Sequence, residues 1–402
     1  MERVYALQQL DEAVTRSKVT VVQGLPRVGR TSILAEWRRQ RPDTKLCREI
    51  ADILSGTGVF ILDHVDARSI DAISAKVREA DEGRLHGHLV VAPIDFVTSV
   101  GLRNALPGLV TTIDVNPLQI NETTGEASDS SLSAGPIDTP PEASAPVNDQ
   151  TPAPHQHWLR GGFPESLEAE TDELSMKWRD DMLGILLDRD YSCLGIARGL
   201  PLDQILLWLA NKNGSELNED GCPLVTKQEF RDAIRVFVRL GLVRRLPSYP
   251  ARSKLSLTRN QKVFLRDTGI LHTLLGIETW EQLDLQPDTV KGASFESYAI
   301  EALIHAANGR CEAQFYRHKN AEIDLVLNFP AQRNRLVAIE CKVNSSRSLK
   351  SGFYTACEAI KVADQDRFMV HSDERPSYHG DVPKLDLRTA IKQISKIAQE
   401  RQ

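Results

Sequence analysis

Two carboxylates and a lysine near the end of the chain have the types and spacing used in metal-assisted phosphodiester hydrolysis. Asp324 lies in the alternating run EIDLVL, and Glu340 and Lys342 stand two residues apart in the next run, LVAIECK. Side chains two apart on a strand share a face, so Glu340 and Lys342 project together, and Asp324 joins them if the two strands are neighbours. Asp324 and Glu340 offer the hard oxygen ligands that Mg²⁺ or Mn²⁺ prefers. The metal would polarise a phosphate, and Lys342 would position the attacking water or help to deprotonate it.

A fourth residue, Glu296, lies on a predicted helix ahead of these strands and would orient Lys342 or complete the metal shell. A Glu-x-Lys pair also occurs on many solvated edge strands, where it has no catalytic role. The ordered set of helix glutamate, strand aspartate and Glu-x-Lys favours a nuclease-type metal site over that alternative. The sequence leaves open whether such a site cleaves nucleic acid or only binds it.

A second stretch, GLPRVGRTS, follows the phosphate-loop pattern G-x-x-x-x-G-K-[ST] at every defining position but one. Gly24 and Gly29 let backbone N–H groups wrap phosphates, and Thr31, with Ser32 beside it, supplies a hydroxyl for Mg²⁺. Arg30 stands where the pattern has lysine. It keeps the positive charge, but its planar guanidinium is not the compact ammonium that follows a γ-phosphate. The stretch predicts a cradle for ATP.

The strand VFILD ends at Asp63, which is placed to hold Mg²⁺ through water. His64 follows at the position where AAA-type enzymes carry the glutamate that activates water. A neutral imidazole can act as a base, but loss of hydrolysis is the simpler interpretation. We expect ATP binding with impaired hydrolysis. An active ATPase that uses Arg30 and a purely structural loop are the alternatives.

The elements that position these residues divide the chain into four parts. Apolar strands alternate with helices in residues 1–122, which predicts a parallel α/β sheet of the P-loop type. Residues 123–157 are rich in Ser, Thr, Pro and Ala and lack apolar periodicity, which predicts a disordered linker. Residues 158–285 predict helices and a helix–turn–helix–hairpin of winged-helix type. Residues 286–402 predict a small α/β domain.

Residues 228–266 carry a local excess of positive charge in a chain of net charge −6. Ten Lys or Arg stand there against two acids, and Arg231, Arg235 and Arg239 repeat every four residues on one helix face. This pattern predicts a phosphate-backbone surface for DNA or RNA. The alternative is a helix face that pairs with acids of another domain.

The composition bounds the class of protein. The chain has 402 residues, of which 41% are hydrophobic and 26% charged, and this is typical of a soluble globular protein with two or three domains. Its six cysteines form no CxxC pair, no apolar run reaches the length of a membrane span, and the first residues are polar. We therefore expect a cytoplasmic protein without a membrane partner. An oligomer is compatible with the sequence, which leaves the oligomeric state open.

The order of these motifs resembles a family of prokaryotic AAA-type ATPases whose C-terminal half is a nuclease-like domain. GLPRVGRTS, LDHV, GGFPE and KVFLRDTG stand in the order of that family's phosphate loop, Walker B strand, middle-region entry and K-x-Y-x-x-Asp-x-Gly segment. GASFE, EID and ECK are similar to its Gly-x-x-x-Glu, Glu-(Val/Ile)-Asp and Glu-x-Lys pieces. The last three also resemble the PD-(D/E)xK, restriction-endonuclease-like superfamily. VVAPID stands in place of the family's sensor strand, so the sensor residues are missing.

The resemblance implies a degenerate AAA-type nucleotide-binding domain, a basic winged-helix middle and a metal-dependent nuclease-like domain. In that domain Glu296, Asp324, Glu340 and Lys342 would be the catalytic residues. ATP and Mg²⁺ or Mn²⁺ are the implied cofactors, and nucleic acid is the implied partner. A non-enzymatic, ATP-dependent scaffold or regulator is the competing hypothesis from a different class.

Overall fold

The computed structural model describes residues 3–52, 55–82, 86–123, 153–189, 191, 194, 196–218, 222–250, 261–373 and 381–400. The predicted disordered linker, 123–157, lies mostly outside these residues. Its two ends are described and differ from the prediction, because Thr123 closes one helix and residues 154–157 begin another. His157 is buried there, and its ring bonds the carbonyl of Leu118. The ends of the predicted linker are therefore helical and packed.

The first region is a parallel sheet of five strands with helices on both faces. Its strands are β1 (Val19–Gly24), β2 (Thr44–Leu46), β3 (Ser55–Val65), β4 (His86–Pro93) and β5 (Val110–Val115). Its helices are α1 (Val4–Arg16), α2 (Arg30–Gln40), α3 (Ile70–Asp81), α4 (Phe96–Ala105) and α5 (Ile120–Thr123). The strand order is β2-β3-β4-β1-β5, and every neighbouring pair is parallel. The predicted parallel α/β sheet is confirmed.

Both faces of this sheet are buried, which explains why its strands are almost continuously apolar. Val21 of β1 packs in one layer with Ile73 of α3. The next residue, Val22, packs in the opposite layer with Trp37 of α2. A parallel sheet covered on both faces exposes its chemistry only at the strand ends. The carboxyl end of β1, at Gly24, is where the predicted phosphate loop begins.

The middle region is helical and contains one hairpin. Its elements are α6 (Pro154–Arg160), α7 (Pro164–Leu167), α8 (Asp172–Leu187), α9 (Leu202–Ala210), α10 (Lys227–Leu240), β6 (Val243–Pro247), β7 (Gln261–Leu265), α11 (Thr268–Leu275) and α12 (Trp280–Asp284). A capping box of Thr226 and Glu229 starts α10, and Gly241, at φ 80°, ends it. Strands β6 and β7 pair antiparallel. The predicted order of helix and hairpin is present, and its assignment as a winged helix stays a prediction.

The last region is a mixed sheet of five strands. Its elements are α13 (Asp288–Ala306), β8 (Glu312–His318), β9 (Ala321–Phe329), β10 (Arg335–Cys341), α14 (Ser351–Ile360), β11 (Arg367–His371), β12 (Lys384–Asp386) and α15 (Leu387–Gln399). The order is β12-β11-β10-β9-β8, with β10 antiparallel to β9 and parallel to β11. Helices α13 and α15 cover one face and α14 covers the other. The predicted α/β class of this region is confirmed.

No helix in the described part of the chain is long and apolar enough to cross a membrane.

Candidate functional site

The four predicted catalytic residues meet at the middle of the second sheet. Strands β9 and β10 are neighbours, and their register pairs Leu325 with Ile339, so Asp324 and Glu340 face each other one step further along. Lys342 follows on the same side as Glu340, and its Nζ donates to Glu340 Oε1 at 2.6 Å. Glu296 reaches the cluster from α13. The strand neighbourhood expected from the sequence is therefore present.

Asp324 is held by the backbone of the neighbouring strand. Its Oδ2 accepts a hydrogen bond from the N–H of Cys341 at 2.9 Å and lies 3.7 Å from Lys342 Nζ. Lys342 Nζ also donates to the carbonyl of Cys341 at 3.1 Å. The carboxylate and the ammonium are thus both fixed by main-chain atoms of β10.

A bulge between β8 and β9 lies at the position of Asp324. Gln314 pairs with Val326, whereas Tyr316 pairs with Ile323, so Asp324 and its neighbour Leu325 face a single residue of β8. An extra residue bends the strand and changes the direction of a side chain. Simple alternation along β9 would not have shown this feature.

Lys262 of β7 is the site residue that sequence reasoning placed elsewhere. Its side chain is 4% exposed, and its Nζ lies 2.9 Å from Glu296 Oε1, 3.2 Å from Glu322 Oε1 and 3.7 Å from Asp324 Oδ1. The sequence counted it among ten basic residues of a phosphate-binding surface. The sequence shows Lys262 as the lysine of the KVFLRDTG segment, but no neighbouring residue indicates that its partners are acids of the last region.

The basic segment 228–266 is therefore only partly a surface. Arg244 and Arg266 also point inwards, and both bond the buried carboxylate of Glu301 on α13. Their charges pair with one acid of the last region, and they are not part of an exposed face. Arg231, Arg235 and Arg239 do lie on the exposed face of α10. Arg252, Lys254 and Arg259 lie outside the described residues.

Burial and crowding change the acidity of the cluster. Burial and the neighbouring charge of Asp324 raise the pKa of Glu296 to about 7 and that of Glu340 to about 8. Burial opposes the charge of Lys262 and Lys342, but the surrounding carboxylates outweigh it, and the pKa of each lysine lies above its ordinary value. Glu296 and Glu340 therefore lose their protons less readily than exposed carboxyl groups do.

The fit of a divalent ion is mixed. Within the described ranges, no three His, Cys, Asp or Glu side chains already stand in metal-binding geometry. When ionised, the four carboxylates of the cluster exceed by one charge the three cations that contact them. The carboxylates are Glu296, Glu322, Asp324 and Glu340, and the cations are Lys262, Lys342 and Arg317. Glu340 Oε2 is buried and has no hydrogen-bond partner in the described part of the chain. A buried carboxylate oxygen without a partner is costly, so Asp324 and Glu340 are the residues that would hold Mg²⁺ or Mn²⁺ if an ion binds.

The predicted phosphate loop has the required backbone shape. Gly24 lies so close to β5 that a Cβ would be 2.5 Å from the carbonyl oxygen of Val115. Arg27 and Gly29 have φ values of 64° and 93°, in the left-handed region that turns backbone N–H groups into a concave loop. Thr31 and Ser32 follow in the first turn of α2, and both are exposed. The glycines and hydroxyls stand where a phosphate-binding loop needs them.

Arg30 does not point into this loop. Its guanidinium donates to the carbonyls of Pro93 and Ile94 at the end of β4, the latter at 3.4 Å. Those residues replace the sensor strand of the resembling family. Burial lowers the pKa of Arg30, which Asp63 and Asp95 partly oppose. The cation of the loop is thus engaged by the neighbouring strand.

Asp63 and His64 stand at the end of β3. His64 has a φ of 57°, and its side chain is 74% exposed. Its Nδ1 lies 3.3 Å from Asp63 Oδ2, and its backbone N–H donates to Asp63 Oδ1 at 2.8 Å. The imidazole therefore lies beside the predicted magnesium carboxylate.

Arg3 braces the loop from outside and was not predicted. Its guanidinium donates to the carbonyls of Val28 and Asn116, each at 2.6 Å, and lies 3.7 Å from the buried carboxylate of Glu122. His305 of α13 approaches the same carboxylate at 3.6 Å. A lone arginine near the start of the sequence gave no sign of this contact.

A cavity of about 890 Å³ opens beside the loop, between the first sheet and the middle region. Gly24, Leu25 and Pro26 line one wall, and Arg103, Arg189, Arg239 and Arg266 contribute cationic groups. This volume lies in the range of small-molecule sites. The cavity lies next to the first residues of the predicted phosphate loop.

Two of the resemblance motifs pack against each other. Gly162 of GGFPE donates its backbone N–H to Asp267 Oδ2 at 2.8 Å. A Cβ on Gly162 would lie 2.1 Å from the carbonyl of Leu118, and a Cβ on Gly269 would lie 2.2 Å from that of Arg160. Glu165 ends the motif with an ion pair to Arg27 of the phosphate loop, at 2.8 Å. These motifs join the regions, and their glycines permit close backbone contact.

Two family descriptions match parts of the chain. Domain of unknown function (DUF8612) matches residues 152–281, and Domain of unknown function (DUF4143) matches residues 291–387. Among curated proteins, the uncharacterized proteins Mb2031c of Mycobacterium bovis and Rv2008c of Mycobacterium tuberculosis are each 28% identical over 215 residues. That alignment covers 51% of this chain and 46% of each relative, so the chain spans about half the length of the curated relatives it matches.

Solved structures with a similar arrangement include a Walker-type ATPase, an ORC1 protein and a Cdc6p protein. The Walker-type ATPase PABY2304 of Pyrococcus abyssi has a TM-score of 0.40 at 11% identity, covering 68% of this chain and 95% of that one. The ORC1 protein of Aeropyrum pernix, solved in complex with DNA, has 0.25 at 11%, covering 68% and 92%. Cdc6p of Pyrobaculum aerophilum has 0.24 at 14%, covering 70% and 95%. At these scores, the functional conclusion depends on the geometry of this chain.

Proposed function

We propose that this chain is an ATP-binding protein of AAA-type architecture with impaired hydrolysis, whose C-terminal cluster binds a divalent cation and acts on nucleic-acid phosphodiesters. One observation carries the second half of the proposal. Lys342 Nζ bonds Glu340 Oε1 at 2.6 Å beside Asp324, while the buried Glu340 Oε2 has no partner in the described residues. Two carboxylates and an ammonium in contact are what metal-assisted hydrolysis needs.

Each residue of the cluster has a distinct task in this proposal. Asp324 and Glu340 would hold Mg²⁺ or Mn²⁺, which when bound polarises the phosphate and lowers the pKa of water. Lys342 has three N–H donors, of which the contacts to Glu340 Oε1 and the Cys341 carbonyl use two. The third is left to position a water or a phosphate oxygen. Glu296, on α13, would border the site on one side.

The test is incubation of the full-length protein with DNA and RNA in Mg²⁺ or Mn²⁺. We expect cleavage by wild type and a loss of at least about a hundredfold in Asp324→Ala and Lys342→Ala, the size typical for removal of a charge-stabilising group. Glu358→Gln and Lys350→Ala, which change exposed residues of the same region, serve as matched controls and should cut like wild type. Identical behaviour of all five proteins on every substrate excludes the nuclease proposal.

The first half of the proposal is supported by the loop and by the cavity beside it. A thermal shift with ATP·Mg²⁺ should raise the Tm of wild type, and Thr31→Ala should reduce that shift because the metal-side hydroxyl is removed. Thr15→Ala, an exposed threonine on α1, is the control. ATP turnover by wild type at the rate of an ordinary ATPase would contradict impaired hydrolysis, since Arg30 is bound to β4 and His64 replaces a glutamate.

Nucleic-acid contact is proposed for the exposed face of α10. Arg231, Arg235 and Arg239 share that face, although Arg235 also bonds Asp232 at 2.7 Å. The double variant Arg231→Gln/Arg235→Gln should weaken binding of labelled DNA or RNA and flatten its salt dependence, because each phosphate contact releases counterions. Arg68→Gln, at a highly exposed position of the first region, is the control. Unchanged salt dependence would remove α10 from the interface.

A non-enzymatic scaffold is the second candidate, and the position of Lys262 favours it. An ammonium already stands among Glu296, Glu322 and Asp324, which reduces the need for a metal ion. In this alternative the cluster binds without turnover. Binding of nucleic acid without cleavage in either metal, unaffected by Lys342→Ala, would favour the scaffold.

A further inference from the structure

Asp324 divides the acid cluster into two unequal halves. Its Oδ1 lies 3.7 Å from Lys262, and its Oδ2 lies 3.7 Å from Lys342. In the first half, Lys262 contacts the carboxylates of Glu296 and Glu322 as well. In the second half, Glu340 keeps one buried oxygen without a partner among the described residues. Each half contains an ammonium, but Lys262 contacts three carboxylates, whereas Lys342 bonds one oxygen of Glu340 and leaves the other without a partner among the described residues.

The surroundings of Lys262 are those of a bound cation. Carboxylate oxygens of three different residues lie within 3.7 Å of its Nζ, and the ring of Phe315 lies 5.5 Å away. The side chain is almost fully buried, so little water replaces these contacts. Removing one charge from a buried ionic cluster leaves the others uncompensated, which is strongly unfavourable.

We propose that Lys262 is a built-in cation, a positioning residue that fills the Glu296 half of the cluster and confines a divalent ion to the Glu340 half. The proposal rests on the metal role proposed above for Asp324 and Glu340. Sites that cleave phosphodiesters with two metals hold the ions about 3.5–4 Å apart. In this chain an ammonium from the middle region takes the place of one ion. The acid cluster of the last region is therefore incomplete without Lys262 of β7.

The consequence is a gain of metal binding when the ammonium is removed. Lys262→Met keeps an unbranched side chain one atom shorter and removes the ammonium that contacts Glu296, Glu322 and Asp324. Mn²⁺ should then enter the vacated half. Lys262→Arg keeps the charge, and Lys350→Met removes a charge from an exposed position of the same protein.

The experiment is a Mn²⁺ titration of the full-length protein, with free Mn²⁺ measured by electron paramagnetic resonance. Wild type, Lys262→Arg and Lys350→Met should bind one ion. Lys262→Met should bind an additional ion, and the double variant Lys262→Met/Glu296→Gln should lose this gain. Equal stoichiometry and affinity in Lys262→Met and wild type overturn the proposal.

A thermal measurement keeps the proposal testable if Lys262→Met is weakly folded. Mn²⁺ should raise the Tm of Lys262→Met by several degrees more than that of wild type, because the ion replaces a lost buried charge. The absence of this difference overturns the proposal.

The outcome is separable from that of the proposed nuclease function. A chain that binds no Mn²⁺ as wild type but one ion as Lys262→Met supports the built-in cation and contradicts the metal role of the native site. A wild type that cleaves with Mn²⁺, combined with an unchanged Lys262→Met, supports the function and overturns this inference.

Discussion

The proposed nucleotide cradle of the first region and the acid cluster of the last region differ in the exposure of their polar and charged side chains. In the cradle, His64 is 74% exposed, and Thr31 and Ser32 face solvent. In the cluster, Glu340, Asp324 and Lys262 are nearly buried. Lys262 lies 3.7 Å from Asp324, and Glu340 bonds Lys342. The cradle lies at the open ends of parallel strands, whereas the cluster lies between two antiparallel strands and a helix.

The difference shows whether the side chains of each site are fixed before a ligand binds. A loop at a strand end can exchange its own contacts for contacts with a ligand. To bind a phosphate, Arg30 would have to leave the carbonyls of Pro93 and Ile94. A buried cluster has already replaced its water with fixed partners, so its charges are arranged before a substrate arrives. Changes in the two regions should therefore differ in kind, with stability most affected where charges are buried.

The largest effect is expected from the buried ion triad that joins β6 and β7 to α13. Glu301→Ala leaves Arg244 and Arg266 without their shared carboxylate and should lower the free energy of unfolding by about 3–5 kcal/mol. Glu36→Gln, in an exposed pair with Arg39 of the first region, should leave stability unchanged. Urea denaturation followed by circular dichroism measures both. Equal losses in the two variants would remove the contrast between buried and exposed charge.

A second effect is expected where the two regions touch through backbone. Gly162→Ala places a Cβ against the carbonyl of Leu118 and should destabilise the protein by more than about 1 kcal/mol. Gly184→Ala, in α8 with open space around it, should instead stabilise by about 0.5–1 kcal/mol. The same denaturation experiment tests the opposite signs, and a shared sign would contradict the close approach.

Buried neutral histidine should make the stability of the first region depend on pH. Burial lowers the pKa of His88 to about 4, and its Nε2 lies 2.9 Å from Thr20 Oγ1. Because the pKa falls on folding, its stabilising contribution is complete above about pH 6.5 and is lost as the pH falls towards 4. Between pH 7.5 and 5.5 this loss is about 1.4 kcal/mol. His88→Gln should reduce the pH dependence by that amount, whereas exposed His155→Gln should not.

The smallest effect is expected from repairing the cradle at one position. Arg30→Lys restores the ammonium of the phosphate-loop pattern and should raise ATP turnover by less than about tenfold, because His64 still replaces the water-activating residue. The added change His64→Glu should give a larger increase than either change alone. A steady-state phosphate-release assay compares the wild type, the two single variants and the double variant. Full turnover in Arg30→Lys would show that His64 is no obstacle.

Much of the fold was predictable because its strands are apolar runs between turn residues. Two such runs in succession suggested neighbouring strands for Asp324 and Glu340, and β9 and β10 do pair, with Leu325 opposite Ile339. The contact of Lys262 with Glu296 could not be foreseen, because the sequence gives the charge of a residue but not its partner 34 positions away. The bulge at Asp324 and the brace from Arg3 to Val28 are likewise products of tertiary packing.

The backbone hydrogen bond from Leu118 to the carbonyl of Gly162, at 2.7 Å, has a consequence for the stretch of chain between them. It closes a long loop, and the ring of His157, bonded to Leu118, closes it a second time. The entropy of such a closure grows only with the logarithm of loop length, about 0.6 kcal/mol for each doubling. The contact between Leu118 and Gly162 therefore holds the two flanking regions together, and the entropic cost of keeping that contact rises only slowly as the number of residues between them increases.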